Sequence, residues 1–311
     1  MRRDPVGFLY FLESIRVPVL NEFMLLITKL GEETAFLAVA LILFWCVDKR
    51  TGYYVMSVGF VGTIGSQFLK LACRVPRPWV LDPEFTILEE AREAASGYSF
   101  PSGHSQSAVG TFGGMAAAIK KKWLRIVFIA IAVLVPLSRM YIGVHTPADV
   151  LVGSGMSVIL IFVLKPLVYG KDGKGMKALL AGMIVLALAY LAYVELWPFP
   201  VDIDAHNLQS GYKNAYTLLG ALLGVAVTYV VDEKKLQFQV KAVWWAQVLK
   251  VVLGLGVVLL VKEGLRTPLE LLFGGHMAAR AVRYFLIVVI AGIVWPLTFP
   301  WFRNLGLKEK T

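Results

Sequence analysis

Charge is what this chain has little of. Only 17% of its 311 residues are Asp, Glu, Lys or Arg, against about 25% in a soluble globular chain. Meanwhile 58% of them are hydrophobic and the mean hydropathy is +0.68. Runs such as 33–47, 122–143 and 178–196 are apolar over about the length a bilayer requires. A soluble fold could bury one such run but has no surface left to cover many. Cysteine is nearly absent as well. Cys46 and Cys73 both lie in apolar segments, which excludes a disulfide framework and a thiolate metal site. There is no dense cluster of Asp, Glu or Cys ligands, so neither a metal nor another cofactor is expected. The N-terminus lacks a small-residue cleavage signature, and no processing is expected there. Acidic charge is scarcer than basic, giving a net charge of +10. The excess Lys and Arg gather in short loops between apolar runs, as cytoplasmic membrane loops do, rather than in a nucleic-acid surface.

These limits predict an all-α, polytopic membrane protein of about nine transmembrane helices. Residues 1–30 are apolar but interrupted by Glu13, Arg16, Asn21 and Glu22, which predicts an amphipathic helix lying at the interface. Spans follow over 33–47, 53–73, 104–119, 123–143 and 147–169, then over 177–197, 216–231, 243–261 and 284–301. Residues 74–100 read as a polar loop with a short helix through 87–92. The Gly-rich stretch 268–275 is too short to span and reads as interfacial or re-entrant. The expected organisation is an N-terminal interfacial helix (1–30), a core (31–170) and a C-terminal extension of about four spans (171–311), after a flexible link at 170–175. Lys49, Arg50, Lys120, Lys121, Lys122, Arg125, Lys171, Lys174, Lys177, Lys234, Lys235, Lys241, Lys308 and Lys310 collect on one side. With nine spans, the C-terminus is then cytoplasmic and the N-terminus outside.

The stretch from Lys70 to Asp149 carries the chemistry, because its polar residues fall at the ends of apolar runs on the outer side. Arg guanidinium matches phosphate oxygens with parallel hydrogen bonds and Lys adds a point charge, which makes Lys70, Arg77 and Arg139 candidate phosphate ligands. Ser102, Gly103 and His104 open a helix, whose free N–H groups and dipole favour an anion. Ser102 is also expected to cap that helix, and Gly103 lets backbone approach closely. His145 and Asp149 are four residues apart and share one helical face. A carboxylate on one ring nitrogen fixes the tautomer and frees the other as a nucleophile. His104 can protonate the leaving oxygen and later take a proton from water. Three cationic side chains can neutralise the transferring phosphoryl group without a metal.

Lys70 with Arg77-Pro78, then Pro101-Ser102-Gly103-His104, then Ser138-Arg139 with His145 and Asp149 resemble, in order, the three-part signature of the type-2 phosphatidic acid phosphatase superfamily. That superfamily includes lipid phosphate phosphatases, undecaprenyl diphosphatases, sphingosine phosphate phosphatases, glucose 6-phosphatase and vanadium haloperoxidases. The resemblance covers about residues 60–155. It implies a phosphohistidine on His145 oriented by Asp149, with His104 as general acid. It also implies phosphate ligands at Lys70, Arg77, Ser102, Gly103 and Arg139. The run Phe44 to Gly52 and the long C-terminal extension are more weakly similar to sphingosine phosphate phosphatases and related bacterial proteins.

The expected function is therefore hydrolysis of a lipid phosphate or polyprenyl diphosphate at the outer face of a bacterial plasma membrane. The partners are that substrate and membrane lipids, with no nucleic acid. A soluble phosphate ester, as in glucose 6-phosphatase, is the first alternative. A transporter or receptor with a vestigial phosphatase core is the second, and the intact catalytic set argues against it. The last four spans could shape a tail-binding groove or form a homodimer contact. His206 and His276 are expected to be structural, Glu195 and Glu263 solvated, and Trp123, Trp197, Trp295 and Trp301 interfacial.

Overall fold

The computed structural model describes residues 6–95, 97–170 and 173–305. Every regular element among them is helical. Residues 1–5, Lys171, Asp172, Lys308 and Lys310, used above for the N-terminal helix, the flexible link and the charge balance, lie outside the described residues.

Two short helices come first, α1 (Gly7–Ser14) and α2 (Pro18–Thr28). The segment Pro18–Gly31 meets Glu33–Val47, which contains α3 (Glu33–Ile42), at a bend of 58°. Then come α4 (Lys49–Cys73), the single turn α5 (Pro78–Leu81), α6 (Gly103–Ala108) and α7 (Gly114–Ala118). Long helices follow: α8 (Lys122–Tyr141), α9 (Pro147–Tyr169), α10 (Lys174–Leu196), α11 (Ala205–Val231) and α12 (Trp244–Gly264). The chain closes with α13 (Arg266–Leu272), α14 (Ala278–Val289) and α15 (Phe299–Leu305). The short helix expected at 87–92 is a pair of 3-10 turns, Glu89–Ala91 and Glu93–Ala95. The stretch 268–275 holds the end of α13 followed by Gly274 and Gly275, both at positive φ.

Seven helices among the described residues are long and apolar enough to cross a membrane, or eight if the bent pair counts as one span. The expected count of nine is therefore too high. The two segments that account for the difference are 33–47 and 103–118. Each falls short of the roughly 20 residues needed to cross on its own. Many large apolar side chains remain exposed, among them Ile126 (67%), Leu151 (70%), Phe162 (70%) and Leu260 (74%). Outward-facing apolar surface on so many long helices is what lipid contact requires and water does not tolerate.

The described helices fall into two compact units. One comprises residues 1–37, 54–167 and 199–211, and the other 38–53, 168–198 and 212–311. In the first, helices approach at small residues, as expected without a hydrophobic drive between helices in lipid. A β-carbon on Gly153 of α9 would lie 2.5 Å from the carbonyl oxygen of Ser102, so only glycine lets α9 meet the start of α6 there. Two satellite cores pack beside the catalytic loops. Val6, Leu9, Phe85, Ile87, Met140 and Val150 form one. Tyr141, Ile142, Val144, Ala91 and Ala95 form the other. In the second unit, Trp45 donates its indole N–H to the Ala291 carbonyl at 2.9 Å. Trp295, expected at the interface, packs against Trp45 and Phe302, whereas Trp123, Trp197 and Trp301 are more than half exposed.

Candidate active site

Helix ends deliver the residues. Lys70 sits in the last turn of α4, and Arg77 immediately precedes Pro78, which opens α5 at the first helical position. Ser102 caps α6. Its Oγ accepts from the Ser105 hydroxyl at 2.9 Å and more weakly from the Ser105 N–H at 3.4 Å. Its own N–H donates to the Asp149 carbonyl at 3.0 Å. Arg139 lies in the last turn of α8, after which Gly143, at φ +87°, turns the chain toward His145. Thr146 and Asp149 then form a capping box at the start of α9. The Thr146 N–H donates to Asp149 Oδ2 at 2.7 Å, and the Asp149 N–H returns to Thr146 Oγ1 at 3.3 Å.

Six of the residues singled out in the sequence converge. Arg77 Nη1 lies 2.9 Å from His145 Nε2. His145 Nδ1 faces Asp149 Oδ2 at 3.5 Å. Lys70, Arg77, Arg139 and His104 all lie within electrostatic reach of His145. His145, Asp149 and Arg139 are each 1% exposed and Arg77 6%. His104 is only partly buried, and its ring forms no hydrogen bond among the described residues. A β-carbon on Gly103 would meet no atom within 4 Å, so no packing demand fixes glycine there.

Hydrogen bonding assigns the imidazole tautomer. A guanidinium N–H can only donate, so His145 Nε2 accepts from Arg77 and the ring proton sits on Nδ1. Nδ1–H is directed at Ser99 Oγ, 3.4 Å away, and at the carboxylate behind it. Ser99 Oγ in turn donates to Asp149 Oδ2 at 2.6 Å. Burial, reinforced by Arg77, Arg139, Lys70 and His104, holds His145 well below its usual 6.5, so the ring is neutral. A neutral imidazole with a lone pair on Nε2 has the form that nucleophilic attack requires.

The cations are held differently. Lys70 donates to the Tyr98 carbonyl at 2.6 Å. Arg77 is braced by the carbonyls of Gly97 (2.8 Å) and Val144 (2.9 Å). Arg139 donates through Nη1 to Thr28 Oγ1 at 2.8 Å, while its Nε and Nη2 have no hydrogen-bond partner. Such buried donors need a hydrogen-bond acceptor or incur a desolvation cost of about 1–3 kcal/mol or more.

Several participants left no signal in the sequence motifs. Ser99, fully buried, links His145 to Asp149. Thr28, on the N-terminal helix α2, anchors Arg139 across 111 residues of chain. The carbonyls of 97, 98 and 144 hold the cations. A serine just ahead of Pro101-Ser102 was the one clue available for Ser99, and only the fold gives it meaning.

Residues 50–172 match the PAP2 superfamily, and residues 216–310 match the PAP2 superfamily phosphatase transmembrane extension. The chain is 32% identical over 166 residues to phosphatidylglycerophosphatase B of Bacillus subtilis, covering 49% of this chain and 76% of that protein. The chain belongs to the PAP2 superfamily. It is a polytopic membrane phosphatase of that superfamily, as the motifs implied. It is also 29% identical over 140 residues to undecaprenyl-diphosphatase of Sulfolobus acidocaldarius, covering 44% of this chain and 66% of that protein. The crystal structure of a transmembrane PAP2-type phosphatidylglycerolphosphate phosphatase from Bacillus subtilis is similar over 55% of this chain and 85% of that one. The sequence identity there is 30% and the TM-score 0.44.

Proposed function

We propose that this chain hydrolyses a lipid phosphate or lipid diphosphate at the extracytoplasmic face of a bacterial plasma membrane, through a phosphohistidine on His145. The observation that carries this reading is the His145 ring itself. Burial and the surrounding cations favour its neutral form, with Nδ1–H backed by Ser99 and Asp149 and, among the described residues, Nε2 hydrogen-bonded by Arg77. On substrate binding Arg77 transfers its N–H from Nε2 to a phosphate oxygen, exposing the lone pair. Nε2 attacks the terminal phosphorus, and the N–P bond forms as the bond from that phosphorus to the leaving oxygen breaks, the lipid alcohol oxygen in a monophosphate or the bridging oxygen in a diphosphate. His104 gives its proton to that leaving oxygen. Water then attacks the phosphoryl group while His104 takes its proton, the N–P bond breaks, and orthophosphate leaves. Asp149 holds the Nδ1 proton and stabilises the charged ring.

Lys70, Arg77 and Arg139 neutralise the equatorial oxygens, with the N–H groups near Ser102 and Gly103 adding backbone donors. The two unpaired nitrogens of Arg139 support this assignment. A lipid substrate is supported by the named activities of the relatives, a phosphatidylglycerophosphatase and an undecaprenyl-diphosphatase. It is also supported by the site's position at the ends of membrane-length helices, where a headgroup would lie with its tail in the bilayer. In this reading residues 31–170 form the phosphatase core and 171–311 its extension, with 1–30 at the interface.

The test is phosphate release by purified protein in detergent with EDTA present. The substrates are undecaprenyl diphosphate, phosphatidylglycerophosphate, phosphatidate, sphingosine phosphate and a soluble sugar phosphate. A quench after brief exposure to radiolabelled substrate should leave an acid-labile, alkali-stable label on the wild type and none on His145→Ala. Release confined to the sugar phosphate would sink the lipid reading. Label surviving in His145→Ala would sink the intermediate. An impermeant thiol reagent that fails to reach Glu90→Cys in intact cells would reverse the orientation.

A further inference from the structure

Three consecutive residues of one loop hold Lys70, Arg77 and Asp149, three of the six residues that converge. The Gly97 carbonyl takes Arg77 Nε at 2.8 Å, the Tyr98 carbonyl takes Lys70 Nζ at 2.6 Å, and the Ser99 hydroxyl reaches Asp149 at 2.6 Å. The loop itself has little regular structure. Gly97 sits at φ +83°, and one internal tie runs from the Ser99 N–H to the Val75 carbonyl at 2.8 Å. Its remaining side-chain anchor comes from far along the chain. Asn207 Oδ1 accepts from the Tyr98 N–H at 3.1 Å. A β-carbon at Gly97 would stand only 2.8 Å from that same oxygen, so the Asn207 side chain lies close against the loop backbone there. Asn207 is fixed in turn. It lies in the first turn of α11, where its N–H donates to Asp204 Oδ1 at 2.8 Å.

Asn207 lies between the two matched regions, 50–172 and 216–310, and in neither of them. Yet residues 199–211 belong to the same compact unit as His145. We propose that Asn207 is a positioning residue for phosphoryl transfer: through Tyr98 it sets the loop 97–99, and hence the placement of Lys70, Arg77 and the His145–Asp149 pair. The segment that follows α10 thereby takes part in the chemistry instead of only lengthening the membrane domain. Small displacements in a phosphoryl-transfer site are costly, because positioning supplies much of the rate. The inference rests on His145 being the nucleophile.

The experiment measures kcat, KM and thermal midpoint in detergent with undecaprenyl diphosphate and phosphatidylglycerophosphate as substrates. The variants are Asn207→Ala, Asn207→Ser, Asn207→Asp, Ser99→Ala, Asn207→Ala/Ser99→Ala and His145→Ala. Loss of the acceptor in the Ala and Ser variants should lower kcat about tenfold, the scale of one positioning hydrogen bond. Asn207→Asp retains an acceptor oxygen at the same reach and should stay within about twofold of wild type. The double variant should be faster than the product of the two single effects predicts, since both act through one loop. The proposal is overturned if Asn207→Ala and Asn207→Ser stay within twofold of wild type, if Asn207→Asp is as slow as they are, or if the double variant is simply multiplicative. Activity persisting in His145→Ala would instead overturn the reading on which this one rests.

Discussion

Two cations, one in each unit, are equally hidden and oppositely treated. Arg139 in the phosphatase unit and Lys250 in the other are each 1% exposed. Lys250 is answered: its ammonium donates to the carbonyls of Trp45 at 2.8 Å and Val240 at 3.1 Å, and lies 4.3 Å from the centre of the Phe299 ring. Arg139 is left waiting, with Thr28 taking one nitrogen and two others unpaired. A buried charge within a membrane helix is expensive in either case. Where neighbouring carbonyls satisfy it, the charge ties helices together. Where its donors stay empty, the protein holds a binding free energy that only an anion releases. Burial alone therefore does not distinguish the two cations; the difference lies in how far neighbouring carbonyls take up their donors.

That contrast can be broken by substituting methionine for each. Arg139→Met should lower kcat/KM for the preferred lipid by about 10²–10³-fold, the usual effect of losing a donor aimed at developing charge. Its thermal midpoint should hold or rise, because an unsatisfied buried charge has gone. Lys250→Met should do the reverse. Activity should stay within about twofold, while stability drops by roughly 1–3 kcal/mol because the buried Trp45 carbonyl loses the Lys250 donor. If Arg139→Met destabilised the protein and spared turnover, the distinction drawn above would fail. Orthophosphate sharpens it at smaller scale. At about 100 times its dissociation constant it should stabilise wild type and Lys250→Met by about 2.7 kcal/mol. It should leave Arg139→Met almost unmoved in the same thermal scan.

The six converging residues were legible in the sequence as a candidate site because phosphoryl transfer demands particular side chains at helix ends, and those ends are marked by Pro78, Pro101, Gly143 and Pro147. Ser99, Thr28 and Asn207 were not legible. They act through hydrogen bonds across 46 and 50, 111 and 109 positions respectively, and serine, threonine and asparagine are common enough in loops and caps to carry no signal alone. The all-helical membrane class followed from apolar runs, but the span count did not. Residues 33–47 and 103–118 have the composition of spans without the length, and only the fold shows the first bent against α2. Trp295 misled for a related reason, since a tryptophan near a helix end can belong to an interface or to a packed aromatic cluster.

The smallest expected effect concerns pH. Burial and the surrounding cations, Arg77 first among them, push His145 below 6.5. A lowered value means the ring stays unprotonated, and so nucleophilic, as pH falls through the range where a free histidine would charge. The acid limb of kcat/KM assigned to this group should therefore lie below 6.5 in the wild type. Removing a nearby positive charge relieves part of that depression, so Arg139→Met should move the limb upward, toward the ordinary histidine value. Lys250→Met, whose charge does not act on His145, should leave it in place. The substrate phosphate titrates in the same region, but its ionisation is common to all three proteins and cancels when their profiles are compared. A limb that fails to rise in Arg139→Met would mean that the Arg139 charge does not set the ring's protonation. Arg139 would then matter to the phosphate and not to the nucleophile.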